Sequence, residues 1–165
     1  MPDVPTSPYR EAPPSRCFVG TNCHIACLDG QTGAPRWQRQ LRPTPGISSR
    51  LVTLLLDGDR LYASCLGVVA CLRAEDGSEL WRAENRHVGE PSVLALEGPR
   101  LIVAGLGHVL AFASESGALV WQNDLPGVSF HPICLRVPGG RVAEPPAHPP
   151  TTPLPPPDEP DDPWV

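Results

Sequence analysis

A chain of 165 residues with a net charge of −5 offers one domain's worth of foldable sequence. Its 23 prolines crowd into residues 1–15 and 138–165, and with only 5% aromatics the core of the middle is aliphatic. The 13 basic residues stand singly, which argues against nucleic acid and an anionic membrane surface as partners.

Residues 1–15 read as a disordered proline-rich lead. They lack the apolar core of a signal peptide, so the expected location is cytoplasmic. No stretch reaches the roughly 20 apolar residues that a membrane-spanning helix needs. On the same grounds Cys17, Cys23, Cys27, Cys65, Cys71 and Cys134 are expected as free, buried thiols rather than disulfides.

From residue 16 an internal repeat sets in. Trp37, Trp81 and Trp121 are spaced by 44 and 40 residues. Four residues before each stands Gly33, Gly77 or Gly117, and nine before stands Leu28, Leu72 or Phe112. Ten before stands Cys27, Cys71 or Ala111, and twelve before Ile25, Val69 or Val109. Twenty-one before stands Arg16, Arg60 or Arg100. Short apolar runs at 25–28, 68–72 and 109–112 are bounded by turn residues and read as buried strands. Glycine-ended turns follow, and then the strands with the tryptophans at 35–41, 79–83 and 119–123. Upstream candidates are 51–56 and 60–64 in the second repeat and 92–96 and 100–104 in the third. Connections this short forbid crossover helices, so each repeat is a four-stranded antiparallel meander.

These columns resemble the PQQ-like β-propeller repeat of the quinoprotein alcohol dehydrogenase-like superfamily. Its motif Ala-x-Asp-x-x-Thr-Gly-x-x-x-Trp is kept at Asp29, Thr32, Gly33 and Trp37, at Gly77 and Trp81, and at Ala111, Gly117 and Trp121. The resemblance implies an all-β fold over residues 16–142: about three four-stranded antiparallel blades of a partial propeller, each Trp wedged between blades. The first repeat lacks its opening strand. The segment 128–137 resembles that strand, followed by a turn at 138–142. Either this segment pairs with the first repeat, or the row remains an open arc or a piece of a larger ring. The arc is favoured because three blades close poorly. Residues 143–165 read as a disordered, proline-rich acidic tail. Its PxxP spacing lacks a flanking arginine.

The search for chemistry gives little. Cys23, His24 and Cys27 supply too few convergent ligands for zinc. His24 and His108 share a repeat column, without further signs of a functional pair. Carboxylates at Asp57, Asp59, Asp76 and Glu115 sit in turns, which they commonly stabilise. Nucleophile elbows and phosphate loops are missing. The family's dehydrogenases enclose their quinone in a larger ring with a calcium site and a vicinal cysteine pair, and this sequence has no Cys-Cys. The expectation is therefore no catalytic residue, no metal and no cofactor. What remains is a non-enzymatic scaffold with a protein partner, its contacts in turns 29–33, 57–59 and 115–117, and self-association through unclosed blade edges. The alternative is a fragment of a quinoprotein dehydrogenase or of a multidomain enzyme.

Overall fold

The computed structural model describes residues 15–43, 50–128 and 133–145. The lead and most of the tail lie outside these residues. All regular structure within them is β. The first blade holds β1 (Arg16–Thr21), β2 (His24–Asp29) and β3 (Pro35–Gln40). The second holds β4 (Thr53–Asp57), β5 (Arg60–Cys65), β6 (Val68–Arg73) and β7 (Glu79–Glu84). The third holds β8 (Ser92–Glu97), β9 (Arg100–Gly105), β10 (His108–Ala113) and β11 (Leu119–Asp124). A short β12 (Arg141–Ala143) adds a fifth strand to it, and every pairing is antiparallel.

Each blade bends its chain in the same way. At one end, two-residue turns join β1 to β2, β5 to β6 and β9 to β10. Their central residues Asn22-Cys23, Leu66-Gly67 and Leu106-Gly107 all have positive φ, as the twist of a tight hairpin demands. Leucine is an uncommon choice there, and Leu66 is held by its N–H donating to Glu90 Oε1 at 2.7 Å. At the other end the turn is longer. The amides of Gly33, Gly77 and Gly117 donate to the carbonyls of Asp29, Arg73 and Ala113 at 2.8, 2.9 and 2.8 Å. Each blade also carries a register shift in one column, at Cys27/Leu28, Cys71/Leu72 and Ala111/Phe112.

The blades stack face to face. Between the first two lie Ile25, Leu41, Val52, Leu61, Val68 and Leu72. Between the second and third lie Tyr62, Val69, Trp81, Leu94, Val103 and Phe112. The Trp37 indole lies over Gly77 so closely that a Cβ there would stand 2.6 Å from Cε3, and Trp81 covers Gly117 in the same way. The indole N–H groups reach across each seam. Trp37 Nε1 donates to Ala74 O at 3.2 Å and Trp81 Nε1 to Ser114 O at 2.9 Å. A tryptophan thus lies across each of the two internal seams.

One alternative falls away and one expectation needs correction. Among the described residues the terminal segment does not pair with the first repeat, in keeping with the open arc. Residues 133–137 form no strand, and β12 binds along β8, at the inner edge of the third blade. Arg141 Nη1 lies 3.0 Å from Asp57 Oδ1 and 3.2 Å from Leu56 O, so β12 also touches the end of β4. Among the described residues the first blade keeps three strands. Nor are all six cysteines free and buried. Cys23 and Cys65 form a disulfide that ties the first blade to the second, while Cys17 and Cys134 are exposed; Cys27 and Cys71 are the buried thiols. The reason is positional: the β1–β2 turn meets the end of β5, and each side places a cysteine at that contact.

The seams and the disulfide generate three predictions. Trp81→Ala empties a buried site and is expected to cost about 3–5 kcal/mol in urea unfolding. Gly98→Ala faces open space at positive φ and is expected to cost about 1–2 kcal/mol. Gly117→Ala must also displace Trp81 and is expected to cost clearly more; equal costs for the two glycines would refute the wedge. Thiol titration without reductant should count two reactive cysteines in the native chain, four in denaturant and six after reduction. A count of six in denaturant without reductant would rule out the disulfide.

Candidate functional site

The repeat-signature residues fall into two groups. Trp37, Gly77, Trp81 and Gly117 are engaged in the internal seams. Gly33 and Trp121 are not. Gly33 sits in a turn with φ +71, against +70 and +72 at Gly77 and Gly117, yet nothing lies within 4 Å of where its Cβ would be. Trp121 is 39% exposed where Trp81 is 7%, and among the described residues its indole N–H has no hydrogen-bond acceptor. The third blade ends in this tryptophan with Leu119 and Val120, each 51% exposed. Leu135, Val137 and Val142 cover only the part of that blade around Ala95, Ile102 and Ala111.

Polar groups elsewhere are mostly committed to structure. Asp29 Oδ1 accepts from the Gln31 and Thr32 amides at 3.0 Å each, and Oδ2 lies 2.6 Å from Arg36 Nη2. The Arg36 guanidinium, with those turn amides, holds the Asp29 carboxyl well below the usual carboxylate range. Asp76 accepts from the Ser78 amide at 2.8 Å. Two of the turns expected to make partner contacts, 29–33 and 57–59, spend carboxylates internally, the first through Asp29 and the second through Asp57, which pairs with Arg141. A hollow of about 740 Å³ at the opposite end of the blades is lined by Arg42, Arg50, Arg86, Glu84 and Glu90. Its charges are of both signs, and Arg42 Nη1 donates to Leu66 O at 3.2 Å.

Sequence reasoning missed one cluster. His108 does not meet its repeat-mate His24; it meets His87 from the loop before β8, with ring centroids 4.7 Å apart. Asp124 Oδ1 lies 2.8 Å from His108 Nδ1 and accepts from Gln122 Nε2 at 2.9 Å. Gln122 first, then His108, lowers the Asp124 carboxyl. The three residues have donor atoms within 4.8 Å of one another, the spacing of a cation site. Arg86 Nε stands 3.5 Å from His87 Nε2 and opposes a cation there. Cys23, Cys65 and Glu90 form the second such group, but the sulfurs are joined to each other. The remaining buried thiols are poor nucleophiles, since burial pushes Cys71 up to about 11 and raises Cys27.

The fold family implies a quinone enclosed at the propeller axis. The residues here do not fit one: β12 runs along β8 and reaches β4, filling the inner edge that would face the group.

Comparisons with known proteins agree on the repeat. A family model described as outer membrane protein assembly factor BamB matches residues 65–145. The crystal structure of BamB from Moraxella catarrhalis is 26% identical, with a TM-score of 0.53, over 66% of this chain and 34% of that one. A quinohemoprotein alcohol dehydrogenase from Pseudomonas putida HK5 is 14% identical, with a TM-score of 0.53, over 69% of this chain and 26% of that one. The computationally designed Ika8 protein is 19% identical, with a TM-score of 0.50, over 70% of this chain and 37% of that one. The latter two likenesses speak to fold alone. The chain thus spans between 26% and 37% of the length of these three structures. No curated protein matches it. The columns around Trp81 and Trp121 lie within the residues that this family model matches, and the chain is similar to PQQ-like β-propeller proteins in partial-propeller form.

Proposed function

We propose that the chain is a non-enzymatic β-propeller-repeat protein that acts as a protein-interaction scaffold. One observation carries this reading: the third blade ends in an apolar surface, Leu119, Val120 and Trp121, left open. Large exposed apolar patches mark interaction sites, and tryptophan is enriched among residues that anchor them. The filled inner edge and the raised thiol of Cys71 add support, because neither suits a quinone or a nucleophile. The matching family model is described as an assembly factor, which accords with protein partners. As for the compartment, the Cys23–Cys65 bond favours an oxidising one over the cytoplasm, where thiols stay reduced.

The test is a photo-crosslinking side chain at Leu119, with exposed Glu75 as control, in cells that express the chain. Polypeptide adducts at position 119 that disappear with Trp121→Ala are expected. Equal yields at 119 and 75, or adducts indifferent to Trp121, would overturn the reading.

A further inference from the structure

We propose that the partner seated on the third blade is a second copy of this chain, which docks by the outer face of its first blade. The proposal rests on the scaffold reading and names the occupant of its open face.

The argument is one of matching columns. Each internal seam has a donor face and a receiving face. The donor face is Phe18, Ile25, Cys27 and Trp37 in the first blade, Tyr62, Val69, Cys71 and Trp81 in the second. In the third blade the same columns hold Ile102, Val109, Ala111 and Trp121. The receiving face is Leu61, Ala63, Ala70 and Leu72 in the second blade and Leu101, Val103, Leu110 and Phe112 in the third, all buried. In the first blade those columns hold Cys17, Val19, Ala26 and Leu28. Here Cys17 is exposed, Val19 is 42% exposed, and Ala26 and Leu28 are only partly covered. Among the described residues the third blade thus offers a wedge without a socket and the first blade a socket without a wedge.

The socket is already formed. The Gly33 turn repeats the Gly77 and Gly117 turns to within 2° in φ. The Gly30 amide donates to Ser15 O at 2.8 Å, as the Ala74 amide does to Asp59 O at 2.7 Å and the Ser114 amide to Pro99 O at 2.9 Å. Ala74 and Ser114 are the residues whose carbonyls take the Trp37 and Trp81 N–H groups. Gly30 O is the corresponding acceptor for Trp121 of a second copy. Among the described residues the first blade also has a free edge at β1, and Leu135 and Val137 already lie on the third blade's donor face. They lie at its inner part, where Val52 and Leu54 pack in the first seam. The segment that begins a fourth blade on one copy is thus placed beside the edge that lacks an opening strand on the other. The contact is head-to-tail. Used twice between two copies, it closes a ring of six blades, within the roughly 4–8 that propellers adopt.

Sedimentation equilibrium of the full chain tests this. The expected result is a concentration-dependent rise to twice the 17.7 kDa chain mass. Trp121→Ala removes the wedge and Val19→Arg spoils the socket; each alone is expected to lower the association constant at least tenfold. Both positions are exposed, and unchanged circular dichroism will show that the variants fold. An equimolar mixture of the two variants retains one intact wedge and one intact socket, so it should form a one-to-one heterodimer. Failure of the mixture to associate, or a wild-type dimer indifferent to both substitutions, overturns head-to-tail docking. The Leu119 crosslink separates the two levels of the argument. An adduct to β1 of the same chain supports the self-docked form; an adduct only to a foreign protein overturns it and keeps the scaffold reading. A monomer with no adduct at all overturns both.

Discussion

Everything in this fold hangs on an indole placed over a glycine turn of the neighbouring blade. The joint does two things at once. It buries one of the largest side chains, worth about 150–250 Å² of area, and it gives the indole N–H a carbonyl partner, so that the burial strands no polar group. Only a residue without Cβ fits beneath the ring, and only one at ease with positive φ ends the turn. Glycine and tryptophan four residues apart are therefore a single device divided between two blades, which is why they recur together.

That device explains how much could be read from sequence. Trp37, Trp81 and Trp121 gave the register, and strands, turns and antiparallel pairing followed because local rules govern them. Long-range partners were harder. Cys23 and Cys65 are 42 residues apart, and their contact depends on how two blades stack. A signal did exist: Cys23 occupies the column of Gly67 and Gly107, a positive-φ turn position where cysteine has no conformational advantage. His108 was matched with His24 because they share a column, but the two stand in the first and third blades, two blades apart. Its real neighbours, His87 and Asp124, come from the adjoining loop and strand. The placement of β12 beside β8 had no sequence signature, since three residues carry no register information of their own.

Stability in such a row is set by nearest neighbours. The middle blade is buffered on both faces, and its central strands β5 and β6 are almost wholly buried. The first blade has one neighbour and three described strands, and it is here that the disulfide lies. Tying Cys23 to Cys65 closes a loop of 42 residues, the kind of crosslink that typically contributes about 2–4 kcal/mol. The third blade is reinforced differently, by β12 on its inner edge and by Leu135 and Val137 on its donor face. Both ends are thus supported, and both supports leave the outer seam positions, Gly33 and Trp121, uncovered.

This distribution separates binding from chemistry. Turn carboxylates cap their own turns, buried sulfurs are bonded or held as thiols, and the inner edge is filled by the chain itself. What the fold leaves unspent is apolar area at the two termini of the blade row, in the same columns that bind blade to blade inside it. Leaving Trp121 in water forgoes the burial that Trp81 obtains, and an isolated row has no means of recovering it. A surface built to the internal pattern of the fold is most readily completed by another surface of that pattern, because the complementary turn, carbonyl and apolar columns already exist in the first blade.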